Sequence, residues 1–79
     1  MTASTARLEL RFGNAVRAAR ERKGFTQERL AEAASLNRSY LGEIERGLVT
    51  PSLATISKLA EALGLAASEL ISHTEQPLT

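Results

Sequence analysis

The side chains best equipped for chemistry fall close together. Arg38, Ser39, Tyr40, Glu43 and Arg46 lie within the nine residues RSYLGEIER. On a helix, Arg38, Ser39, Gly42, Glu43 and Arg46 share one exposed face, with Tyr40 on its flank. Their chemistry is hydrogen bonding rather than bond breaking. An arginine fork binds O6 and N7 of guanine in bidentate fashion, a glutamate accepts from cytosine N4, and a serine bonds to a base or a phosphate. For each, the alternative is an ordinary solvated side chain. Tyr40, the one tyrosine, either packs its ring and reaches out with its hydroxyl, or is purely structural. Glu43 fits orienting a neighbouring arginine, or rejecting some base sequences, better than a direct contact. Arg46, a turn further on, fits a phosphate or a flanking base. Gly42 lowers helix propensity. It either leaves room for DNA or has no consequence.

Catalysis has little to work with. There is no Asp and no Cys, and His73 stands alone near the end of the chain. No glycine-rich phosphate loop or metal-ligand spacing occurs. The expectation is a protein that is not an enzyme and takes no metal and no cofactor.

The elements that must position these residues read as helices. With 79 residues, 43% of them hydrophobic and only three aromatic, the chain suits one small domain with an aliphatic core. The apolar spacing is helical throughout. Leu8, Phe12, Val16 and Ala19 form a stripe over about 5–23, stopped by Gly24. Gly13 interrupts that helix at a cost of roughly 1 kcal/mol and implies close packing. Thr26 caps a short second helix that turns Leu30, Ala31 and Ala34 inward, and Asn37 caps a third that buries Leu41 and Ile44. Only Ser35 and Leu36 separate the second helix from that cap, so the two must cross steeply. A fourth helix starts around 50–52, with Pro51 in its first turn. Its stripe is Leu53, Ile56, Leu59, Ala60 and Leu63, and Gly64 stops it. A short fifth helix spans about 67–72. The polar stretch 73–79 reads as a frayed tail, which leaves a core of about 5–72.

Net charge is +1, but the distribution is uneven. Residues 1–46 hold nine basic residues against six Glu, whereas residues 47–79 hold Lys58 against three Glu. The first half is where a polyanion would bind, unless it is only a solvated mixed-charge surface. The N-terminal MTASTARLEL has no apolar stretch of signal-peptide length, and no run approaches membrane-spanning length. A cytoplasmic protein with no membrane partner is expected.

From about Phe12 to Ile71 the sequence resembles the phage-repressor type of helix-turn-helix, the Xre or Cro/C1 family. FTQERLAEAASL, SYLGEIERG and PSLATISKLAEAL carry the resemblance. Within it, NRSYLGEIERG is most similar to the controller proteins of restriction–modification systems, which are short dimeric activator–repressors. The resemblance implies an all-α domain of five helices with the helix-turn-helix formed by the second and third. It implies that Arg38, Ser39 and Tyr40 read DNA, and that Gln27 anchors a phosphate at the start of the second helix, with Arg17, Thr26, Asn37 and Arg46 also on phosphates. It further implies a partly buried structural ion pair between Arg20 and Glu45. Two departures stand out. Ser35 occupies a turn position where relatives usually have Gly or Asn. Ala66 occupies one where they often have a capping Ser or Asp, which weakens the start of the fifth helix by roughly 1 kcal/mol.

One short recognition helix covers few base pairs, so a homodimer on a palindromic DNA operator is expected. Leu65, Leu70 and Ile71 supply more apolar surface near the C-terminal end than one short helix easily buries, and are taken as the dimer interface, unless they only close the monomer core. Activation would add RNA polymerase as a partner. Two other readings stay open: an antitoxin or partner-binding module with secondary DNA binding, and the DNA-binding half of a larger repressor.

Overall fold

The computed structural model describes residues 3–74, with side chains from residue 8 onward. Five helices follow one another: α1 (Ala3–Arg22), α2 (Gln27–Ala33), α3 (Arg38–Glu45), α4 (Leu53–Leu63) and α5 (Ala67–Thr74). No strand occurs among the described residues. None of these helices is long and apolar enough to cross a membrane. Val16, Leu30, Leu41, Ile44, Leu59 and Leu70 are the largest side chains wholly enclosed, so every helix contributes to one core.

Helix starts follow local hydrogen-bonding chemistry. Thr26 Oγ1 accepts from Arg29 N at 3.0 Å, and Asn37 Oδ1 accepts from Ser39 N at 2.7 Å. At α4 the cap is Ser52, whose Oγ accepts from Thr55 N at 3.1 Å. The helix therefore begins at Leu53 and leaves Pro51 outside it, one step later than the proline suggested. Leu53 is 84% exposed, and Thr55 takes the inward place instead. At α5, Glu69 Oε1 accepts from Ala66 N at 2.8 Å. A side chain three residues on thus supplies the end that Ala66 cannot.

Helix ends share one closure. After α1, α2, α3 and α4, one N–H bonds back five residues: Phe25 to Arg20 O, Leu36 to Ala31 O, Leu48 to Glu43 O and Leu65 to Ala60 O, at 2.8–3.0 Å. The closure needs a left-handed residue just before that N–H. Gly24, Gly47 and Gly64 provide it in three cases; in the tight α2–α3 turn it is Ser35, at φ 57°.

Two expectations about the C-terminal end change. His73 and Thr74 belong to α5, and Thr74 is buried, its hydroxyl donating to Leu70 O at 3.0 Å. A polar residue can end a core helix when its own helix satisfies it. The expected frayed tail beyond, 75–79, lies outside the described residues. Leu70 is wholly enclosed within the one chain and offers no surface to a second copy. Leu65 and Ile71 are half-buried but do not share a face. Leu65 lines a cleft with Ala19, Arg22 and Lys23 near the end of α1, whereas Ile71 lines one with Leu8, Phe12, Pro51 and Ile56 near its start.

Candidate nucleic-acid interface

The third helix is fixed from behind and bare in front. Leu41, Ile44 and Glu45 are buried beneath it, at 0%, 1% and 6% exposure. Arg38, Ser39 and Arg46 are exposed, Glu43 is partly so, and Tyr40 packs its ring against the core. Neither Arg38 nor Arg46 forms an ion pair with a described residue. Asn37 commits its oxygen to the N–H groups of Ser39 and Tyr40. Its amide nitrogen therefore points the other way, as a donor at the head of α3. Gly42 departs from the expected exposed face. It is buried, and Arg46 and Gln27 are the side chains nearest the place its own would fill.

The backbones of α1 and α3 touch at Gly13. A Cβ there would run into Ile44 O and stand 2.7 Å from Glu45 O. This approach brings Arg20 and Glu45 together, with Arg20 Nε to Glu45 Oε2 at 2.7 Å and Nη2 to Oε1 at 3.1 Å. Arg20 Nη1 also donates to Phe25 O at 2.9 Å, which fixes the α1–α2 turn. The hydrogen bonds it donates to Glu45 hold the Arg20 guanidinium above its ordinary pKa, against burial, which favours the neutral form.

Glu45 has a second partner that the sequence did not suggest. Gln27 Nε2 donates to Glu45 Oε1 at 2.9 Å. A carboxylate only accepts, so the amide nitrogen must face it and the amide oxygen must face away. One side chain of α3 thus ties down the first residue of α2 and, through Arg20, α1.

Other cations lie around this frame. Arg17 pairs with Glu21 on its own helix at 3.2 Å, and both are well exposed. Such pairs are weak and leave the charge largely available. Lys23 and Arg29 stand 5.5 and 5.0 Å from the ring centre of Phe25. Sequence reading passed over both, although KGFTQER sets a cation on either side of the aromatic and beside the cap of α2.

Residues 16–70 match the family model HTH_3, described as Helix-turn-helix. The chain is 44% identical over 59 residues to the immunity repressor protein of Bacillus phage phi105, covering 75% of this chain and 41% of the repressor. It is 38% identical over 71 residues to the control protein C.BamHI of Bacillus amyloliquefaciens, covering 89% and 88% respectively. The solved restriction–modification controller protein C.AhdI from Aeromonas hydrophila superposes with a TM-score of 0.76 at 46% identity, covering 77% of this chain and 92% of that one. The chain therefore spans less than half of the phage repressor but most of each controller protein.

Proposed function

This chain belongs to the helix-turn-helix family of transcription regulators, and from that premise we propose that it binds a palindromic DNA operator as a homodimer, as a restriction–modification controller in the cytoplasm. The observation that carries the reading is the third helix. Its inner face is locked into the core, and its outer face offers Arg38, Ser39 and Arg46 to solvent. A rigid helix with uncommitted guanidinium groups suits the major groove, whose base edges and flanking phosphates both accept hydrogen bonds. In this reading Arg38, Ser39 and Tyr40 face base edges, and Glu43 restricts which bases fit. Arg17, Thr26, Gln27, Asn37 and Arg46 face the phosphates.

Support for a pair comes from the apolar cleft of about 150 Å³ between α1, α4 and α5, lined by Leu8, Phe12, Pro51, Ile56 and Ile71. Two recognition helices about 34 Å apart would meet successive major grooves on one side of the duplex. Support for the controller role comes from near full-length coverage of two such proteins. Contact with RNA polymerase would follow if the regulator activates.

Selection of bound duplexes from a random pool tests the reading. The expected product is an inverted repeat with half-site centres about 10–11 base pairs apart, bound by two copies of the chain in sedimentation. A selected site without two-fold symmetry, or no enrichment, overturns it. The controller role further requires that the site lie upstream of a restriction–methylation gene pair.

A further inference from the structure

Gly42 is the one residue of α3 whose type the interface leaves unexplained. A glycine inside a helix is less stable there than alanine. Its φ is not positive, so no unusual backbone conformation requires it. What the structure uses is the missing side chain. A Cβ on Gly42 would stand 3.2 Å from Nη1 of Arg46 and 4.0 Å from Oε1 of Gln27. Helical side chains lean towards the N-terminus, so that of Arg46 runs back over the residue four before it. Arg46 thus lies flat on bare backbone, and its charge is carried a turn along the 38–42–46 stripe towards Arg38. Its guanidinium forms no hydrogen bond or ion pair with the described residues. Gln27, on the other wall of the slot, is held by Glu45. A methyl group at position 42 would therefore push the Arg46 tip off its seat by a few tenths of an ångström and leave Gln27 in place.

We propose that Gly42 is a positioning residue for nucleic-acid binding: its bare Cα seats the Arg46 guanidinium on the outer face of α3, where it meets a backbone phosphodiester. The inference rests on the DNA-binding reading above. Gly42→Ala should then separate two properties that usually fall together, because the same methyl group that strengthens the helix moves the cation.

The test compares wild type, Gly42→Ala, Arg46→Ala and the double variant. Binding is followed by fluorescence anisotropy on the duplex selected by the wild type, and at low salt on a mixed-sequence duplex of about 30 base pairs. Gly42→Ala should raise the melting midpoint by roughly 4–8 °C, the effect of one glycine-to-alanine exchange in a helix of so small a domain. It should weaken binding to both duplexes severalfold and alike, less than the roughly tenfold loss and the salt slope lowered by about one expected of Arg46→Ala. In the Arg46→Ala background it should change affinity no further. Wild-type affinity in Gly42→Ala, an equal loss with Arg46 absent, or a lowered melting midpoint each overturns the inference. If the wild type binds neither duplex, the DNA-binding reading falls as well, whereas failure of Gly42→Ala alone leaves that reading standing.

Discussion

Arg20 and Glu45 lie 25 positions apart in the chain and meet through two hydrogen bonds, with the Glu45 side chain 3% exposed. The pair joins the first helix to the recognition helix. Its second effect is on Gln27, which shares the same carboxylate. A group that neutralises a buried charge also orients the residue at the head of α2, so the fold and the candidate interface rest on one side chain.

Glu45→Ala should therefore cost about 3 kcal/mol, the lower end for a buried pair, because it leaves the partly buried Arg20 guanidinium with Phe25 O but without its carboxylate. Thermal unfolding followed by circular dichroism measures it. A loss under about 1 kcal/mol would mean that the pair is not what joins α1 to α3. The raised pKa of Arg20 fixes the pH behaviour: its stabilisation is complete below the ordinary arginine range and is lost only as pH rises through the higher folded value. Arg20 should therefore add no pH dependence to stability between acid and moderately alkaline solution.

Ser35→Gly should stabilise the domain. A left-handed conformation costs a non-glycine residue roughly 1–2 kcal/mol, and the extra freedom of glycine when unfolded returns roughly 0.5–1 kcal/mol of that. A net gain of about 0.5–1 kcal/mol raises the melting midpoint by a few degrees. Ser35→Val should lower it, since a branched side chain fits that conformation worse. The opposite order of the two variants would contradict the turn geometry.

Gly13→Ala should destabilise although alanine is the better helix former. The added carbon meets main-chain atoms of Ile44 and Glu45, which cannot swing away as a side-chain tip can. Overpacking of this kind costs about 1–3 kcal/mol and outweighs the helix gain of about 1 kcal/mol. Urea denaturation at equilibrium measures the difference, and a more stable variant would show that α1 and α3 can move apart freely.

Arg38→Ala should weaken operator binding by about 1–3 kcal/mol and relax preference at one base pair. Equal loss on selected and random duplexes would refute base reading. Gln27→Ala should weaken binding to all sequences alike. It also removes a hydrogen bond from Glu45, so its melting curve must be measured alongside.

Leu70→Ala should cost about 2–5 kcal/mol through the cavity it leaves in the core, a loss of fold stability rather than of a dimer contact. Ile71→Lys, at the half-buried edge of the cleft beside Leu8, should leave a folded chain that sediments as a monomer and binds the operator weakly. An Ile71→Lys protein that still pairs would place the contact elsewhere.

The sequence by itself determined the five helices, their order and most of their ends. These depend on local chemistry: apolar spacing, Thr26 and Asn37 as caps, and Gly24 and Gly64 as stops. It also put Arg38, Ser39 and Arg46 on one exposed stripe, because helical periodicity alone does that. Local chemistry also set the limits of that reading. Pro51 looked like a first turn and Thr74 like a tail, since spacing does not tell which hydroxyl will cap a helix or find its own carbonyl.

Tertiary structure decided what depends on groups far apart in the chain. Leu70, Leu65 and Ile71 look alike as letters, yet one is enclosed and the other two line separate clefts at opposite ends of α1. Glu45 meets Arg20 because Gly13 lets α1 and α3 come so close, and the same carboxylate then holds Gln27 of α2. Gly42 is buried, with Arg46 folded back from one turn on and Gln27 of α2 the nearest side chains to the place its own would fill. Periodicity assigns a residue to a face of its own helix; what covers that face is set by side chains from other helices and by the direction in which each one lies.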